Sequence, residues 1–189
     1  MHETTAWWML IYKIPPDPSS ARVAAWRQLK AQGAVALQQS VWVLPPDAQH
    51  AAFFMTLRQS IEVSGGQAYV FRVDALDALD GAAAVRARFI AERDAEYTEL
   101  LDRCQAFEDE MAREHAGAKH TYAELKDEWA KLCQWFAKIQ ARDFYPTARQ
   151  ADAEVALARA ETALHTFAHS VYVAEGLQEA ADDSLGEQD

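Results

Sequence analysis

The chain has 189 residues, half of them hydrophobic, with 18 Lys/Arg against 29 Asp/Glu and a formal net charge of −11. That suffices for one ordinary core, or a small core with a helical extension, and no stretch approaches the roughly 20 apolar residues that cross a bilayer. An acidic chain repels nucleic acid at long range, yet the charge is uneven: residues 1–73 hold six Lys/Arg against four Asp/Glu, a net of +2, and residues 74–189 hold twelve against twenty-five, a net of −13.

MHETTAWWML has no basic region and no small-residue cleavage site, so no signal peptide is expected there. Trp7 to Tyr12 are apolar or aromatic without a break, the pattern of a strand buried on both faces. Pro15, Pro16 and Pro18 stop it. Asp17 before Pro18 is a helix-start signal, with Ser19 and Ser20 as rival caps, and Gly33 ends that helix. Val35 to Leu37 and Val41 to Leu44 are short strands around Gln38-Gln39-Ser40, close enough to pair as a hairpin. Asp47 caps a second helix with His50, Phe54, Leu57 and Ile61 on one face. Ser64-Gly65-Gly66 closes it, and Ala68 to Val73 make a fourth strand.

That order is βαββαβ, a ferredoxin-like unit over residues 6–74: an antiparallel sheet with two helices on one face. The open face and the sheet edges need cover, from a second subunit or from the downstream helices, and a homodimer is expected. From Leu76 the period turns helical. Ile90, Tyr97, Leu100, Cys104, Phe107 and Met111 form one seam on a helix from near Asp80 to near His115, which Gly117 breaks. Tyr122, Leu125, Trp129, Leu132, Phe136 and Ile139 form a second, over about 119–142, with heptad alternation. A third helix starts at Pro146, its face Leu157, Ala160, Leu164, Phe167 and Val171. The fold class is therefore α+β, the ferredoxin-like unit followed by a long-helix hairpin or three-helix bundle over residues 78–174. Residues 175–189 are acidic and predicted to be a disordered tail.

The stretch from Trp7 to Pro46, with ERDAEYTEL (Glu92 to Leu100), KIQARDFYP (Lys138 to Pro146) and the Ala-rich helix through FAHSVYVAEG, resembles the N-terminal domain of ChrB-type chromate resistance regulators. The likeness covers about residues 7–176. It implies a non-enzymatic, repressor-like regulator of chromate or oxyanion resistance that binds operator DNA. Such proteins usually carry a second, C-terminal chromate-resistance domain, and the chain stops where that domain would begin. The alternative is thus a protein-interaction module that docks a separately encoded chromate-resistance domain. The opening stretch is more distantly similar to the C-terminal domain of phenylacetate-type (PaaX) repressors and to the ferredoxin-like CRISPR-associated nuclease subunit, through Gln38-Gln39-Ser40-Val41-Trp42. The nuclease subunit needs an acidic residue where this chain has Lys13, and an ammonium has no lone pair for a divalent cation. That departure argues against a metal-dependent nuclease.

Lys13, Arg22, Arg27, Lys30 and Arg58 are the candidate DNA- or anion-binding residues, against the competing reading of ordinary solvated charge. Lys13 stands out at an otherwise apolar strand end and invites a carboxylate, phosphate or oxyanion partner. Arg93 and Arg142 are oxyanion-cluster candidates, since a planar guanidinium fork suits a tetrahedral dianion; solvated salt bridges are the competing reading. Glu161, His165 and His169 lie at i, i+4 and i+8, a metal candidate that needs a third converging element, for which His115 and His120 are the candidates. No metal or other cofactor is expected. Cys104 and Cys133 sit in separate helices without a CxxC and read as small buried thiols of a reduced cytoplasmic protein. Trp7, Trp8, Trp26 and Trp42 read as core or dimer packing. No Gly-rich phosphate loop, nucleophile elbow or paired catalytic carboxylate appears.

Overall fold

Residues 6–17, 19–74, 81–114 and 121–186 are described by the structure, a computed structural model. The chain runs β1 (Ala6–Lys13), α1 (Ser19–Ala31), β2 (Val35–Gln38), β3 (Val41–Leu44), α2 (Ala48–Val63), β4 (Gln67–Asp74), α3 (Gly81–Glu114), α4 (Tyr122–Gln140) and α5 (Ala148–Gly186). It divides into two compact units: one takes the chain up to Arg93 together with Arg142–Pro146, the other Asp94–Ala141 together with the chain from Thr147.

In the first unit the four-stranded sheet has the order β2-β3-β1-β4 and is antiparallel throughout. Each helix joins two parallel strands separated by a third, the split βαβ arrangement met twice. Side chains alternate across β1. Leu10 and Ile14 pack with Ala25 and Leu29 of α1 and Phe54, Leu57 and Ile61 of α2. Trp7 and Met9 face the other way, into a second cluster with Val35, Val43, Ala82 and Phe89. That is why β1 is apolar on both sides. The face predicted to be open is covered at the Trp7 end by the first turns of α3. The same burial moves the unit boundary from the strand–helix junction, where the sequence suggested it, to Arg93.

Local chemistry sets the ends of these elements. Asp47 is the N-cap of α2 and accepts from the Gln49 amide at 2.6 Å. Gly33 and Gly65 take positive φ (76° and 77°) after α1 and α2. Pro18, half of the expected start signal of α1, lies outside the described residues.

In the second unit Tyr97, Leu100, Cys104, Phe107 and Met111 of α3 meet Leu125, Leu132 and Ile139 of α4. Thr121 and Glu124 form a capping box, which starts α4 at Tyr122 rather than near Lys119. On α5 Ala153, Ala156, Ala160, Leu164 and Phe167 are buried in the same cluster. The alanines are a seam rather than a solvated surface. The helix continues to Gly186, into the stretch expected to be a disordered tail. Leu177 to Ala181 are strong helix formers, so acidity alone does not stop the backbone there.

Candidate functional site

The basic candidates of the first unit separate by their surroundings. Lys13, at the end of β1 opposite Gln67, is exposed and has no ion-pair partner among the described residues. Arg22 and Arg27 are exposed on α1, which contains no acidic residue. Arg22 Nη2 donates to the Pro16 carbonyl at 3.0 Å, so the side chain is held against the loop before the helix. Trp26, 49% exposed, and Val23 stand beside it on the outward face. Of the four tryptophans read as packing, Trp7 and Trp42 are buried and Trp8 is partly so. Trp26 lies outside the core of the chain, and nothing in the α1 sequence is periodic enough to say which side faces out.

Lys30 and Arg58 are engaged. Lys30 Nζ lies 2.6 Å from Glu92 Oε2, with about a third of each side chain exposed (34% and 30%), and 5.7 Å from the centre of the Trp42 ring. Arg58 pairs with Glu62 at 2.8 Å, one turn along the same helix. Phosphate contact by either would have to compete with a carboxylate.

The two oxyanion candidates both lie beside Lys30. Arg93 is 3% exposed, and its Nη2 is 3.5 Å from the same Glu92 oxygen that holds Lys30. Arg142 Nη1 donates to the Lys30 carbonyl at 3.1 Å. That carbonyl belongs to the last turn of α1, where a cation also meets the negative end of the helix dipole. A Cβ on Gly33 would stand 2.8 Å from Arg142 Cβ and 3.2 Å from the Phe144 ring. Only glycine lets the 142–146 segment lie so close. Asp143 follows, its Oδ1 accepting from the Tyr145 amide at 3.2 Å. One guanidinium and one ammonium, those of Arg93 and Lys30, thus share the Glu92 carboxylate, while Arg142 reaches the backbone carbonyl of the same lysine. Glu92 and the close approach at Gly33 were missed in the sequence, where Glu92 appears only as the first residue of the ERDAEYTEL block. Arg88, which donates to the Ala36 carbonyl at 2.8 Å, was missed as well.

In the second unit Glu161, His165 and His169 are all exposed on α5. Among the described residues no three His, Cys, Asp or Glu side chains converge on a metal position; His115 and His120 lie outside those residues. Cys104 is buried and Cys133 partly so, both as free thiols. Burial, with lesser contributions from Glu108 and Cys133, pushes the Cys104 thiol up to about 11, and burial also raises Cys133. Neither is a poised thiolate at neutral pH. An open apolar groove of about 630 Å³, lined among others by Met111, Val155, Arg159 and Thr162, was not foreseen. Arg159 and Glu108 form an ion pair at 3.3 Å on its wall.

The family described as Protein ChrB, N-terminal, matches residues 22–178. The match begins inside α1, includes Arg22, Arg27, Arg93 and Arg142, and leaves Lys13 outside. Among curated proteins, Protein ChrB of Cupriavidus metallidurans is 28% identical over 156 residues, covering 80% of this chain and 44% of that protein. The chain therefore spans less than half the length of that relative. Among the described residues no helix is long and apolar enough to cross a membrane.

Proposed function

Because the chain belongs to the ChrB N-terminal family, we propose that it is a non-enzymatic, repressor-like regulator of chromate or oxyanion resistance that contacts operator DNA through its first unit. The observation that carries the reading is the family match, which runs through both units. Three features support the assignment of the DNA surface. Arg22 and Arg27 are exposed on a helix without acidic residues. Lys13 is a third exposed cation of the same unit. The large negative balance lies downstream of residue 73. Long-range repulsion would then orient the chain with this unit toward the phosphates.

Arg93 and Arg142 supply the oxyanion response in this reading. Glu92 pairs with Lys30 and Arg93, and a tetrahedral dianion takes its place beside them. Charge-assisted hydrogen bonds from guanidinium to oxyanion replace those to the carboxylate.

An electrophoretic shift with DNA upstream of the chain's own operon, with and without chromate, tests both parts. The expected result is a shift at low salt that chromate weakens. The absence of any shift at low salt would sink the DNA reading. A shift that chromate leaves unchanged, together with no chromate uptake in equilibrium dialysis, removes the oxyanion role of Arg93 and Arg142.

A further inference from the structure

The two edges of the sheet are finished differently. β2 is four residues long, its pairing shifts between Ala36 and Gln38, and the Ala36 carbonyl accepts from Arg88 at 2.8 Å. Shortness, irregularity and a covering charge are the devices that keep an edge from pairing with another chain. Among the described residues β4 shows none of them. Its eight residues hold unbroken register with β1, from Ala6 opposite Asp74 to Lys13 opposite Gln67. It contains no proline or glycine, and its only charges, Arg72 and Asp74, lie at one end. Among the described residues no strand pairs with its outer side.

The sheet face tells the same story. Ala68 points into the core beneath α1 and α2, so Tyr69 and Phe71 point to the other side. The first turns of α3 cover that face at Trp7 but not here: Tyr69 is 56% and Phe71 47% exposed. The two rings lie within 23° of parallel with centroids 6.5 Å apart. An uncharged aromatic pair beside a bare edge suits an apolar, hydrogen-bonding partner rather than a phosphate backbone.

We infer that β4 is the pairing edge of a symmetric dimer, joined antiparallel to β4 of a second copy and centred on Val70. In that register Tyr69 stands opposite the partner's Phe71, and Phe71 opposite the partner's Tyr69. Directly opposed residues share a face, so the four rings form one cross-strand cluster. Arg72 meets the partner's Ala68 and Gln67 meets the partner's Val73, so no like charges oppose each other. The edge is thus complementary to itself, as a twofold interface requires. This inference does not depend on the DNA reading.

Sedimentation of the full chain tests it. The expected result is a dimer at tens of micromolar, as an edge of this size supports. Tyr69→Lys with Phe71→Lys should raise the dissociation constant at least about tenfold and leave the helical circular dichroism unchanged. A second measurement stands whether or not that variant folds. In a Cys133→Ser chain, Val70→Cys should form an intermolecular disulfide under mild oxidation, and Arg72→Cys should not. A chain that stays monomeric overturns the inference, as does a dimer indifferent to the lysines that cross-links equally well at residue 72.

Discussion

Gly33 carries two demands at once. Its φ of 76° lies in the left-handed region, and a Cβ there would press on Arg142 Cβ at 2.8 Å. Gly33→Ala is expected to cost about 2–4 kcal/mol in denaturant unfolding, more than the roughly 1 kcal/mol of a helix stop in open space. Gly65 is the control: among the described residues nothing lies within 4 Å of its added Cβ, so Gly65→Ala should cost only the conformational part. Equal costs at the two positions would show that the 142–146 segment does not rest on Gly33. Cys104 makes a prediction in pH. Its folded thiol is pushed up to about 11 from an ordinary 9.0. The folded state therefore keeps a proton that the unfolded state loses. The stabilisation is fully present below pH 9 and is lost as pH rises through 11. Cys104→Ala should cost about 1–2 kcal/mol at pH 8, through lost packing, and that difference should shrink or reverse by pH 11. A constant difference across the range would refute the shift.

At the level of elements, α1 is held from its last turn. Lys30 reaches Glu92 on α3, and Arg142 takes the Lys30 carbonyl. The pair is partly screened, so its net worth is modest. Glu92→Gln should destabilise the first unit by about 1 kcal/mol, measured by the unfolding midpoint at low salt, and the loss should fade at high salt. A loss that salt does not change would mean that shape rather than charge holds the contact. These contacts explain what could be read in the sequence. The strands, the Asp47 cap, the glycine stops and the seams of α3 and α4 rest on local periodicity and turn chemistry, and each is legible within a short window. The covering of Trp7 by Ala82 and Phe89 joins residues far apart in the chain, so no window contains it. The same holds for the candidate site. Arg93 can be picked out within the first long helix and Arg142 at the end of the second, but that one meets Lys30 through Glu92 and the other through the Lys30 carbonyl depends on the fold. Trp26 escaped for the opposite reason: α1 has too little amphipathic contrast to assign a face.

For the whole molecule the decisive property is the division of charge. A polyanion approaching a chain of net charge −11 is held only if the cations that meet it lie together and the acids lie elsewhere. Lys30 and Arg58 already face carboxylates, so neutralising a phosphate with either yields little. Arg22 and Arg27 face solvent on a helix without acids. Each phosphate neutralised releases condensed counterions, and the slope of log affinity against log salt falls by about 0.9 per contact on duplex DNA. Replacing Arg22 and Arg27 by alanine should therefore reduce that slope by about two, with affinity lost at every sequence tested. Arg58→Ala should leave the slope nearly unchanged. The measurement is a salt titration of DNA binding by fluorescence anisotropy on the three chains. If the double variant keeps the full slope, α1 is not the surface that meets the phosphates. A slope that falls equally for Arg58→Ala would instead mean that its pair with Glu62 opens on binding, so that pairing in the free chain does not decide which cations are used.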